Sequence, residues 1–178
     1  MLVVRKMSKK TRNGSTSFIF ANCKGERTHA VSQIKHVPNV ASVTPVTGRF
    51  DLVIKLNTNE PTKAFNALER VRSIKSITET QTALSFQNVT SANTDFETPI
   101  GFALLKVRGA FRNVLQRLKT FPNFAEAHAI TGQFDVVAAF KGYSPEELLE
   151  SSVEKIGNIN GITSSETLIA YNPPTTNF

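Results

Sequence analysis

Two aspartates stand in matching phrases of this chain, VTGRFDLVIKL at residues 46–56 and ITGQFDVVAAF at residues 130–140. Asp51 and Asp135 lie just past Gly48 and Gly132, where a tight turn demands the positive φ that glycine permits. A carboxylate in that place has two uses. It can cap the turn by accepting from nearby backbone N–H groups, or it can act with the turn amides to hold a charged ligand. Arg49 and Gln133 fill the variable position between glycine and phenylalanine. An arginine there can grip an anion through two parallel N–H bonds or stay solvated. Because the copies differ, the two turns need not take the same ligand.

Other chemistry is poorly represented. His29, His36 and His128 are the only histidines, and their spacing does not make a metal site. Cys23 is the only cysteine, which excludes an internal disulfide and a cysteine-based metal cluster. On a central strand it is expected to be a small core residue. There is no glycine-rich phosphate loop and no Ser/His/Asp or Cys/His grouping. The expectation is no enzyme, no metal and no cofactor.

The two phrases belong to a longer repeat. At the same offset that aligns Gly48 with Gly132, Phe18 meets Phe102, Gly25 meets Gly109, and Lys35 meets Lys119. Pro38-Asn39 meets Pro122-Asn123 and Pro61 meets Pro145. A fixed offset across several elements marks an internal repeat. The expected domains are a basic arm over 1–15, a first unit over 16–87, a linker over 88–98 and a second unit over 99–174. Units this small are marginal alone, so each is expected to bury apolar surface against the other.

Each unit is expected to run strand, helix, strand, strand, helix, strand. SFIFANC (17–23) and GFALLKV (101–107) are first strands. Phe111, Val114, Leu115 and Leu118 mark one face of a helix, which Pro122 ends as Pro38 ends its counterpart. Pro45 cannot donate to a ladder, so its strand is expected at a sheet edge. Pro61 and Pro145 suit first helical turns, and Ser144 with Glu147 fits a capping box. The last strands are expected over 77–86 and 162–171. This order is the ferredoxin-like βαββαβ plan, α+β, with a four-stranded antiparallel sheet and both helices on one face. One-sided cover predicts alternation of apolar and polar residues, yet Phe18, Ile19, Phe20 and Ala21 are all apolar. Both faces must be covered, and packing sheet on sheet as an intramolecular pseudo-dimer achieves this.

Net charge is +7, but residues 1–16 hold five basic residues and no acid, so most of the excess is local. Arg5, Lys6, Lys9, Lys10 and Arg12 could touch nucleic-acid phosphates without reading sequence, or form a disordered, solubilising leader. The globular remainder is only mildly basic. No apolar run is long enough to span a membrane or form a secretion signal, and the chain is expected in the cytoplasm.

The phrase hydrophobic-Thr-Gly-x-Phe-Asp, placed between strands two and three, resembles the effector-binding (RAM) domain of the leucine-responsive regulator (Lrp)/AsnC family. The resemblance extends to the Pro breaks at 38 and 122 and to the pattern from Ile77 to Thr82 and Ile162 to Thr167. It covers both units, nearly all of 16–172. It implies that two such domains join sheet to sheet, that dimers assemble into rings, and that amino acids or related molecules bind near the glycine hairpin. Candidate effector contacts are then Thr47, Gly48, Arg49, Asp51 and Thr82 in the first unit. In the second they are Thr131, Gly132, Gln133, Asp135 and Thr167. The family usually carries a helix-turn-helix domain, where this sequence has a short basic arm, and it pairs separate chains where this sequence fuses two units. The implied function is a stand-alone sensor of a small molecule such as an amino acid, one that alters oligomerisation or acts with helix-turn-helix partners. Two rivals stand beside it. Paired ferredoxin-like units also make small monooxygenase-like enzymes, whose mark would be a roomy pocket lined by His128 or Glu126. The arm could also bind DNA directly.

Overall fold

The computed structural model describes residues 15–92 and 99–171. The basic residues Arg5, Lys6, Lys9, Lys10 and Arg12 lie outside the described residues, as does 93–98 of the expected linker.

The first half contains β1 (Ser17–Cys23), α1 (Arg27–Ile34), β2 (Val40–Thr47), β3 (Leu52–Leu56), α2 (Pro61–Arg72) and β4 (Ile77–Thr90). The second contains β5 (Gly101–Val107), α3 (Phe111–Leu118), β6 (Phe124–Ile130), β7 (Val136–Phe140), α4 (Pro145–Leu148), α5 (Glu154–Gly157) and β8 (Ile162–Ala170). Between α4 and α5 the chain makes a π-helical turn, Leu149–Val153. That turn has a sequence cause. The repeat offset that aligns Pro61 with Pro145 places Ile77 opposite Gly161, one position short of its counterpart Ile162. The second half therefore holds one extra residue between the two helix starts and the last strands. A single residue inserted into an α-helix is accommodated by one wider i→i+5 turn.

The strand order is β1-β3-β2-β8-β5-β7-β6-β4, closed on itself. This corrects the expectation of two separate four-stranded sheets: all eight strands form one antiparallel ring. Two seams close it. β4 pairs with β6 from Ser85↔Ile130 to Thr90↔Glu126, and β2 pairs with β8 through Val46↔Ala170 and Thr47↔Ile169. Each expected edge strand therefore gains a partner along part of its length, Val46 and Thr47 of β2 on β8 and Ser85–Thr90 of β4 on β6. Pro45 fits because β8 asks it only for an acceptor: Tyr171 N–H donates to its carbonyl at 2.8 Å, and the ladder starts at Val46.

Three apolar cores follow from the apolar strands. Phe18, Phe20, Phe50, Phe102, Phe134 and Leu168 belong to a cluster drawn from both halves, which fills the ring. Ile19, Ala21, Leu52 and Ile54 pack with Ala30, Ile34, Ala64 and Val71 of α1 and α2. Ala103, Leu105, Val136 and Ala138 pack with Val114, Leu115, Leu118, Leu148 and Ile156 from the helices of the second half. Successive residues of β1 thus alternate between an inner and an outer core, which is why the strand carries no polar face. The capping box expected at α4 takes a different form. Ser144 stands at the N-cap without a side-chain cap bond, while Tyr143 N–H donates to Glu147 Oε1 at 3.2 Å. Among the described residues, no helix is long and apolar enough to cross a membrane.

Candidate functional site

The two aspartates do the same local work. In the β1–β4 pairing the register shifts between Asn22 and Cys23, and in the β5–β8 pairing it shifts between Lys106 and Val107. A bulge leaves an N–H without its ladder partner. Cys23 N–H donates to Asp51 Oδ2 at 2.9 Å, and Val107 N–H donates to Asp135 Oδ2 at 2.8 Å. Asp51 also takes Arg27 Nη2 at 2.8 Å, and the same guanidinium donates to the Val46 carbonyl at 3.2 Å. Each aspartate thereby ties its glycine hairpin to the end of a central strand. Replacing Asp135 by alanine strands the Val107 N–H and is expected to cost about 1–3 kcal/mol; the shift in urea midpoint measures it. Cys23 is half-buried, and burial followed by the nearby Asp51 carboxylate pushes its thiol up, away from nucleophilic thiolate.

The hairpins themselves are unequal. Both glycines have positive φ, 129° at Gly48 and 109° at Gly132. A Cβ on Gly48 would stand 2.8 Å from Leu168 Cδ2, whereas on Gly132 it would meet nothing nearer than the Thr82 carbonyl at 3.8 Å. The space that Leu168 fills beside Gly48 is open beside Gly132. There a cavity of about 350 Å³ is walled by Phe20, Gln81, Thr82 and Ala83 of the first half. The hairpin residues Ile130, Thr131, Gly132, Gln133 and Phe134 of the second half complete it. Residue pairing explains the difference. With Ile77 aligned to Ile162, Ala83 corresponds to Leu168 and Gln81 to Glu166 along the last strands. Small Ala83 leaves the cavity that large Leu168 removes.

Their polar groups differ as well. Arg49 Nε donates to Glu166 Oε1 at 3.0 Å, with the guanidinium carbon 5.6 Å from the centre of the Phe134 ring. The corresponding pair at the open cavity is Gln133 and Gln81, both uncharged. Thr131 fastens the cavity's hairpin to β4, donating N–H to the Leu84 carbonyl at 3.0 Å and accepting Leu84 N–H on Oγ1 at 3.0 Å.

Of the ten candidate effector contacts, four line this cavity: Thr82, Thr131, Gly132 and Gln133. Thr47, Gly48, Arg49 and Thr167 gather at the filled hairpin, where Thr47 pairs with Ile169 and the Thr167 carbonyl stands 3.5 Å from the Gly48 Cβ position. Asp51 and Asp135 hold backbone instead. Thr82 Oγ1 is buried with no hydrogen-bond partner among the described residues. Phe20, Gln81, Ala83, Ile130 and Phe134, which also wall the cavity, stand outside those ten candidates. The exchange of Ala83 for Leu168 was the available signal.

A second polar group lies along the β4–β6 seam. Ser85 Oγ is 3.0 Å from His128 Nδ1, and His128 Nε2 is 3.1 Å from Glu126 Oε2. Lys55 Nζ of β3 donates to both carboxylate oxygens of Glu126, at 2.7 and 2.8 Å. The Phe18 ring meets His128 edge-on, with centroids 5.0 Å apart. Burial alone would raise the Glu126 carboxyl. The His128 hydrogen bond and the Lys55 charge outweigh it and hold it at about 2. An ionised carboxylate only accepts, so the Nε2 that faces it carries the proton. Neither His128 nor Glu126 lines the cavity beside Gly132.

Comparison with known proteins agrees with this architecture in part. Over 71 residues the chain is 30% identical to the HTH-type transcriptional regulator FL11 of Pyrococcus furiosus. The matched stretch is 39% of this chain and 46% of that regulator, so the chain spans about half the length of this curated relative. The crystal structure of TTHA0845 from Thermus thermophilus is similar at 28% identity, over 41% of this chain and 94% of that one, with a TM-score of 0.38. The siroheme decarboxylase NirDL, solved with an iron-uroporphyrin III analogue, shares the fold over 88% of this chain and 71% of its own, at a TM-score of 0.62 and 12% identity. A family model described as the Lrp/AsnC ligand binding domain matches residues 101–177, the second half of the chain.

Proposed function

We propose that this chain is a non-enzymatic regulatory protein that senses a small molecule, an amino acid or a compound of that size, at the cavity beside Gly132. In this reading residues 16–87 and 99–174 are two ferredoxin-like units of the Lrp/AsnC effector-binding kind, joined as a pseudo-dimer and working in the cytoplasm. The observation that carries it is the cavity's position. Its walls come from β1 and β4 of one half and from the β6–β7 hairpin of the other. A molecule bound there touches both halves, and its volume of about 350 Å³ lies at the small end of the range for ligand sites. The family match over residues 101–177 and the resemblance to a transcription regulator support the regulatory role.

Binding alters an assembly only if the ligand prefers one state over the other. A ligand bridging β4 and the Gly132 hairpin would stiffen the seam between the halves, and with it the outer surface that further copies or helix-turn-helix partners would meet. Light scattering after size exclusion, with and without a panel of amino acids, tests this together with calorimetric titration. The expected result is binding by the native protein, a change in its assembly, and at least a tenfold loss of affinity in Ala83→Leu. Binding that Ala83→Leu leaves intact would place the ligand elsewhere and defeat the proposal.

A further inference from the structure

From the unequal hairpins we infer that, of the two, only the Gly132 hairpin offers a ligand site, and that this site selects uncharged molecules with an apolar body and a head that both donates and accepts hydrogen bonds, such as a carboxamide. The inference rests on the binding role proposed above and narrows it: a free amino acid, with its ammonium and carboxylate, becomes a weaker ligand than an uncharged compound of that size. Four of the cavity's side chains are apolar, those of Phe20, Ala83, Ile130 and Phe134, and none of its lining residues carries a formal charge. A charged group brought against the apolar walls meets no charged lining residue and gives up part of its hydration, a loss that an uncharged head largely avoids. The polar side chains of the lining residues are the amides of Gln81 and Gln133, each offering a donor and an acceptor, and the hydroxyls of Thr82 and Thr131. The corresponding groups of the other hairpin, Glu166 and Arg49, are charged but already bonded to each other at 3.0 Å. The space beside them holds the Leu168 side chain. Charged residues thus stand at the filled hairpin, and none is among the residues lining the open pocket.

The selectivity can be read with paired probes on the full-length chain. Phenylacetamide and phenylacetate differ in charge at nearly constant shape, as do N-acetylphenylalaninamide and N-acetylphenylalanine. Protein-observed NMR follows the side-chain amides of Gln81 and Gln133 during titration. The uncharged member of each pair is expected to bind at least tenfold more tightly, at one site per chain, and to lose its effect in Ala83→Leu. Gln133→Arg, which places the first hairpin's residue at the open cavity, is expected to shift preference toward phenylacetate. Equal or tighter binding of the charged members, lost in Ala83→Leu, would overturn the uncharged class while leaving the binding role intact. If no probe moves either glutamine, or if the shifts survive Ala83→Leu, the binding role falls as well. Two equivalents bound per chain would refute the single site.

Discussion

Replacing Leu168 by alanine is expected to lower stability by about 2–5 kcal/mol and to open beside Gly48 a cavity like the one beside Gly132. Leu168 is buried in the cluster that fills the ring, and its Cδ2 occupies the place where a Gly48 side chain would begin. Truncation removes both the transfer energy of the lost carbons and their packing contacts. The surroundings cannot close over the gap, because the Gly48 hairpin is held by Asp51 to Cys23 and by β2–β8 pairing. The reverse change, Ala83→Leu, puts a side chain into existing empty space, in a geometry its counterpart already uses. It should change stability by no more than about 1 kcal/mol in either direction. Urea midpoints of the two variants measure the asymmetry directly. Equal costs would mean that the two hairpins are packed alike, and the account of one open site and one filled site would be wrong.

That asymmetry shows which features the sequence could disclose. Strands with two apolar faces demanded cover on both sides, and Phe18, Phe20 and Phe102 do meet inside the ring. Glycines followed by Phe-Asp marked the hairpins, and both lie at positive φ. Ring closure was hidden because ladder bonds are made by the main chain, and no side chain of β4 or β6 announces its partner. Pro45 pointed toward an edge; a strand can begin a second ladder one residue later, and it does. The aspartates were assigned two uses because a one-residue register shift at Cys23 or Val107 leaves no trace in composition. The cavity depends on Ala83 standing where Leu168 stands in the other half. That correspondence appears only when the repeat offset lengthens by one position, across the π-helical turn. The polar seam was least legible of all, since Lys55 and Glu126 lie on different halves and only the folded ring brings them together.

Replacing Glu126 by glutamine is expected to destabilise the protein by about 2–3 kcal/mol at pH 7, an effect that shrinks and vanishes in acid. The carboxylate is the hub of the seam cluster. It takes both bonds of Lys55 and faces the proton-bearing nitrogen of His128. Glutamine keeps the shape but leaves the ammonium beside an amide instead of an anion, and one of its two atoms facing Lys55 becomes a donor. Lys55 retains about a third of its side-chain exposure, so water takes up part of the loss and the cost stays below that of a fully buried broken pair. The pH dependence fixes the mechanism. Glu126 titrates at about 2 when folded against an ordinary 4.5. A depressed carboxyl contributes its full stability above 4.5 and loses it as pH falls toward 2. The shift corresponds to roughly 3 kcal/mol, at about 1.36 kcal/mol per unit. The native protein should therefore lose stability over that window more steeply than Glu126→Gln, and the two urea-midpoint curves should converge near pH 2. Lys55→Met provides the control through a double-mutant cycle. If the ion pair is the source, the second substitution costs less in the Glu126→Gln background than in the native one. Parallel curves from pH 7 to pH 2 would show instead that Glu126 acts through packing, and that the charge joining the two halves contributes nothing.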